Sequence, residues 1–123
     1  MESTVADVTL YHNPKCSTSN HALGVVHDLG TDVDVVQYLK TPPDRAALER
    51  IVKALEDPVE DLVRKDANFA KLGLTAEDYV GNPTAVIDVL VAHPELLQRP
   101  LLVKGKKAII GRPKDRVASF VQG

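Results

Sequence analysis

The chain reads as one α/β domain with a helical lobe inserted ahead of a closing hairpin and helix. Three features predict this. Apolar residues recur first at strand spacing and then at helix spacing, twice in succession, through Leu55. A stretch of short helical signals punctuated by proline follows. Two short apolar runs then flank Lys104-Gly105-Lys106. Strand, helix, strand, helix favours a parallel first pair joined by a right-handed crossover, whereas the later runs read as a hairpin.

Taken in order, Val8 to Tyr11 forms a strand that Asn13-Pro14 breaks. From Ser17 the period changes: Ala22, Val25, Val26 and Leu29 share a helix face, and Gly30 stands where a C-terminal cap belongs. Val33 to Tyr38 reads as the second strand. Thr41-Pro42-Pro43-Asp44 offers a hydroxyl cap with prolines in the first turn of a helix whose inner face is Leu48, Ile51, Val52 and Leu55. In the lobe, Asp57-Pro58-Val59-Glu60 starts a short helix, Thr75 to Asp78 a turn, and Asn82-Pro83 a longer helix stopped by His93-Pro94. Leu101 to Val103 and Ala108 to Ile110 make the hairpin. Pro113 opens the last helix, with Val117, Phe120 and Val121 on one face.

Composition excludes several function classes. The chain has 123 residues, 44% hydrophobic and 26% charged, which is globular rather than disordered. A net charge of −2 provides no basic field for nucleic acid or an anionic membrane. Three Tyr, two Phe and no Trp are too few for a base-stacking platform. The opening MESTVAD lacks the basic and apolar regions of a signal peptide. No apolar stretch approaches the ~18 residues of a membrane span. A single cysteine rules out a disulfide framework. The expectation is a soluble, cytoplasmic domain spanning residues 1–123, with no nucleic-acid or membrane partner.

That cysteine, Cys16, lies in YHNPKCSTSN, between the first strand and the first helix. Free backbone N–H groups and the positive end of a helix dipole point there, and both favour thiolate, the nucleophilic form. Ser17, Thr18 and Ser19 can donate hydrogen bonds to the sulfur, and His12 and Lys15 can add positive charge. The same amides and hydroxyls suit an oxyanion. The plain alternative is an inert buried thiol acting as a small hydrophobe.

The ordered set TLYHNPKCSTSN, YLKTPP, LVRKD, LGL, HPELLQRPLLV and GRP resembles the glutaredoxin-like arsenate reductase family from about Val8 to Phe120. The resemblance implies a thioredoxin/glutaredoxin-like mixed β-sheet flanked by helices, with a helical insertion between the second helix and the third strand. It implies reduction of arsenate to arsenite by one catalytic cysteine. It implies no bound cofactor, with glutathione or another external thiol and a glutaredoxin-type protein as electron donor. Cys16 matches the nucleophile and His12 the histidine thought to lower its pKa. Arg64, Arg99 and Arg112 match the arginines that hold the oxyanion, beside Ser17, Thr18 and Ser19. Pro100 matches a cis-proline ahead of the third strand. The family also includes a regulator branch that binds RNA polymerase, often with a CxxC pair; here Ser19 takes the second cysteine's place. A thioredoxin-like binding protein, or a thiol reductase of another substrate, is thus the alternative function.

The site residues have plainer readings as well. Arg64 follows Glu60 by four residues and can form a solvated ion pair on a helix. Arg99 and Arg112 each precede a proline and flank one hairpin, where two guanidiniums can converge on a tetrahedral anion. His21, His27 and His93 show no metal-ligand spacing, so no metal site is expected; His93 reads as a structural residue at a helix end. Lys104, Lys106 and Lys107 read as a solvated basic hairpin tip.

Overall fold

A computed structural model describes residues 7–123; the rest of the MESTVAD segment lies outside the described residues. Strand β1 (Val8–His12) leads into α1 (Ser17–Asp28), β2 (Val33–Gln37) and α2 (Arg45–Ala54). The lobe holds 3-10 turns at Val59–Leu62, Ala76–Tyr79 and Pro94–Leu96, with α3 (Ala67–Lys71) and α4 (Pro83–Ala92) between them. Strands β3 (Leu101–Lys104) and β4 (Lys107–Ile110) precede α5 (Arg116–Gln122).

The sheet order is β2-β1-β3-β4. The β1–β2 pair is parallel, as the strand–helix–strand order predicts, and the other two pairs are antiparallel. Alternation along each strand feeds two cores on opposite faces. Val8, Leu10, Leu102 and Ile109 meet Ala22 and Val26 of α1 and Val117 and Val121 of α5. Leu101 and Ile110 face the other way, into a cluster with Leu48, Ile51, Leu62 and the apolar side of α4. The helical lobe is therefore a cover over one sheet face.

Several boundaries differ from the sequence expectation. Helix α2 is capped by Asp44, whose carboxylate accepts from the Ala47 N–H at 2.8 Å, and not by Thr41. Residues ahead of a proline avoid the helical region, which keeps Thr41-Pro42 out of the first turn. Helix α5 begins at Arg116, because Pro113 sits in the preceding turn after a cis bond to Arg112. Helix α3 is an unanticipated element, capped by Asp66, which accepts from the Phe69 N–H at 3.1 Å. Lys104 is half-buried rather than free in solvent: its ammonium bonds to the Val121 and Gly123 carbonyls at the end of α5. His93 lies 3.4 Å from Glu95. The Arg99–Pro100 bond is cis, as the resemblance implied.

Candidate active site

Sheet register gathers the site. Tyr11, Leu101 and Ile110 stand in one row across β1, β3 and β4. The chain leaves that row at the same sheet end three times: onward from β1 as His12 to Cys16, backward from β3 as Pro100 and Arg99, and onward from β4 as Gly111 and Arg112. The Gly111 N–H donates to the Pro100 carbonyl at 2.8 Å, tying two of these segments together. A Cβ on Gly111 would sit 2.8 Å from Pro100 Cγ, so a side chain there would force them apart.

Cys16 is the N-cap residue of α1 and is 9% exposed. Its own N–H donates to the Asn13 carbonyl at 3.0 Å, which closes the turn that presents the sulfur. Burial pushes the thiol pKa up. The Ser19 amide, the Arg99 guanidinium and the Thr18 amide pull it down further, so the net value lies below that of an ordinary thiol. Arg112 adds a second cation, with Nη2 3.6 Å from Sγ, while its Nε donates to the Arg99 carbonyl at 2.8 Å. One guanidinium thus bridges the thiol and the strand β3 approach.

The hydroxyls and the histidine serve differently from the sequence expectation. The Ser19 hydroxyl turns inward, 2.6 Å from His12 Nδ1 and accepting from the Asn13 N–H at 3.1 Å. It is the Ser19 backbone, not its hydroxyl, that addresses the sulfur. His12 is 4% exposed, and burial pushes its pKa below the ordinary histidine value, which favours the neutral ring over the expected cation. Lys15 and Ser17 are exposed, and Thr18 lies half-buried in a shallow hollow that Arg112 also lines.

Arg64 does not pair with Glu60, because it stands after the 3-10 turn in extended backbone. Val63 and Leu97 form an isolated antiparallel bridge: Arg64 N–H donates to Leu96 O and Gln98 N–H to Leu62 O, both at 2.8 Å. The Arg64 side chain donates to Asp66 at 3.3 Å and to Gln98 Oε1 at 3.4 Å. Gln98 Oε1 also accepts from the Arg99 N–H at 3.2 Å. Gln98 therefore joins Arg64 to the segment carrying Arg99, and sequence reasoning missed it; its only signal was its place beside Arg99 in QRP. Among the described residues no cluster of three or more His, Cys, Asp or Glu could hold a metal ion. Nor is any described helix long and apolar enough to cross a membrane.

The sequence model of the ArsC family matches residues 11–120. The chain belongs to the ArsC family. It is 37% identical over 119 residues to the arsenate reductase of Rhizobium meliloti strain 1021, covering 93% of this chain and 81% of that protein. It is 36% identical over 115 residues to the uncharacterized protein YfgD of Escherichia coli strain K12, covering 93% and 96%. The solved arsenate reductase from Vibrio cholerae matches with a TM-score of 0.77 at 28% identity, covering 94% of this chain and 98% of that one. The ArsC chain here accordingly has the thioredoxin/glutaredoxin-like fold with a helical insertion.

Proposed function

We propose that the protein reduces arsenate to arsenite at Cys16. The observation that carries this reading is a lone thiol at a helix N-terminus, shifted toward thiolate by the Ser19 and Thr18 amides and Arg99, with Arg112 Nη2 3.6 Å from the sulfur. Family membership and the arsenate reductases among its relatives support the choice of substrate. Arg99 Nε is buried and makes no hydrogen bond, leaving a donor free for an oxyanion. In the proposed reaction Arg99, Arg112 and Arg64, with the amides of Ser17 to Ser19, bind the arsenate oxygens. Neutral His12 acts by holding Ser19 and the loop.

The Cys16 thiolate attacks arsenic(V), an arsenic–oxygen bond breaks, and the oxygen leaves as water. The resulting Cys16–arsenic adduct is still arsenic(V). An external thiolate then attacks the Cys16 sulfur, and the sulfur–arsenic electron pair stays with arsenic, which departs as arsenic(III). A second external thiol frees Cys16, so two thiols become one disulfide and two electrons reach arsenic. These 123 residues contain one cysteine and cannot resolve the adduct by a disulfide among themselves, which supports an external donor. We assign this role to glutathione together with a glutaredoxin-type protein. Cys16→Ser is the test: arsenate-dependent thiol oxidation should vanish while oxyanion binding survives. Turnover like that of the unmodified protein would end the proposal.

A further inference from the structure

Sequence pattern makes Asp57 a helix-start residue, yet its carboxylate caps nothing. Leu55 instead forms a parallel bridge with Ala108, and the Glu56 N–H donates to the Ala108 carbonyl at 2.9 Å. Residues 55–57 thus run along the free edge of β4. There the Asp57 side chain, 15% exposed, has both oxygens engaged: Oδ2 accepts from the Ile110 N–H at 2.9 Å and Oδ1 lies 2.9 Å from Arg116 Nη1. The same Arg116 nitrogen donates to the Ile110 carbonyl at 2.9 Å and to the Arg112 carbonyl at 3.2 Å. Together the pair grips both backbone groups of the last β4 residue and the backbone of Arg112 itself.

We infer that Asp57 and Arg116 are positioning residues, a clamp that fixes the backbone on either side of Arg112 so that its guanidinium stays against the Cys16 sulfur. Neither touches the thiol. The Arg112 side chain is long, and apart from the sulfur it bonds to the Arg99 carbonyl. Its reach to Sγ therefore depends on where its own backbone is held. The inference rests on the reading that Cys16 works as a thiolate, but not on arsenate being its substrate.

The sign of one measurement separates the clamp from direct electrostatics. Removing the Asp57 charge without moving anything would favour the thiolate and speed Cys16 alkylation at neutral pH, since one anion fewer repels it. Releasing Arg112 does the opposite. Alkylation by iodoacetamide should be followed across pH in Asp57→Asn, Arg116→Lys, Arg112→Ala and the Asp57→Asn/Arg112→Ala double variant. The clamp predicts an alkylation rate at neutral pH lowered roughly three- to tenfold in Asp57→Asn, with its midpoint moved up. It also predicts no further slowing when Asp57→Asn is added to Arg112→Ala, the non-additivity of residues acting through one another. Arg116→Lys, which keeps the charge on a shorter side chain without the planar head group that sets Nη1 between Asp57 and the two carbonyls, reads the same effect if Asp57→Asn does not fold. A midpoint unmoved or lowered in Asp57→Asn and Arg116→Lys, alongside a raised one in Arg112→Ala, overturns the clamp alone. An unmoved midpoint in Arg112→Ala overturns the clamp together with the electrostatic role of Arg112.

Discussion

Gly111→Ala is the substitution in which packing and chemistry are most tightly joined. The added Cβ would meet Pro100 Cγ at 2.8 Å, Leu102 Cδ1 at 3.1 Å and Val117 Cγ2 at 3.1 Å. None of these can swing aside freely: one is a ring atom, and Leu102 and Val117 are fully buried. Relief must come from the backbone, which would stretch the Gly111 to Pro100 hydrogen bond and shift Arg112 away from Cys16. Overpacking of this kind costs about 1–3 kcal/mol, which for a domain this size lowers Tm by roughly 4–15 °C. Gly24→Ala is the internal comparison. Gly24 lies within α1 and its Cβ would meet nothing within 4 Å, so alanine there should stabilise by about 0.5–1 kcal/mol. Thermal melts on both variants, with thiol-dependent arsenate reduction measured below each Tm, test the pair. Gly111→Ala should melt early and turn over slowly even where folded; Gly24→Ala should melt late with unchanged kinetics. A Gly111→Ala protein that melts and turns over like the parent would refute the close approach and its link to Arg112.

Cys16 should alkylate with a midpoint below that of a free thiol, losing reactivity only as pH falls through that lowered value; raised salt should return part of the shift, and a midpoint at or above the free-thiol value contradicts the site. His12, held neutral by burial, binds fewer protons folded than unfolded, so its contribution to stability is present above the unfolded value of about 6.5 and should be lost as pH falls from there through the lowered folded value. Urea unfolding at acid and neutral pH should therefore show a weaker acid loss in His12→Asn than in the parent, and equal losses would exclude the effect. Gln98→Leu removes the acceptor shared by Arg64 and the Arg99 N–H, and should weaken arsenate binding and turnover together; kinetics unchanged beside a defective Arg64→Ala would show that Arg64 needs no such support.

Elements long enough to show their period were legible from sequence. Strands β1, β3 and β4, the inner faces of α2 and α4, the Asn82-Pro83 start and the hairpin turn stand where local pattern put them, as does the α1 face except for Leu29, which caps the helix and is exposed; β2 ends at Gln37, one residue short of Tyr38. Helix α3 was not, because five residues cannot display helical periodicity; Asp66 was its only mark, and that carboxylate also receives Arg64. The start of α5 was misplaced because proline suits a first helical turn and an ordinary turn alike. Within the site, Cys16 was legible because its anomaly is local: a thiol among polar residues at a strand-to-helix junction. Gln98 and Asp57 were not, since an uncharged amide and a helix-start acid acquire their roles only from partners far along the chain, as in the bond between Ile110 and Asp57.

The misreading of YHNPKCSTSN is the more instructive one, since it concerns where the positive charge at the thiol comes from. Nearby residues looked like the source, yet His12 is driven toward its neutral form, Lys15 is exposed, and Ser19 spends its hydroxyl on His12 and Asn13. What the loop itself contributes to the sulfur is main chain, the amides of Thr18 and Ser19. The cations arrive from the far end of the sequence, Arg112 lying 96 positions beyond Cys16. Activation of the thiol is thereby made conditional on the tertiary fold: the β1–β3–β4 register must form before Arg99 and Arg112 can reach the sulfur. An unfolded or half-folded chain keeps the same YHNPKCSTSN segment but lacks the charges that favour its thiolate, so full activation of the sulfur needs the assembled sheet end as well as the amides of Ser19 and Thr18.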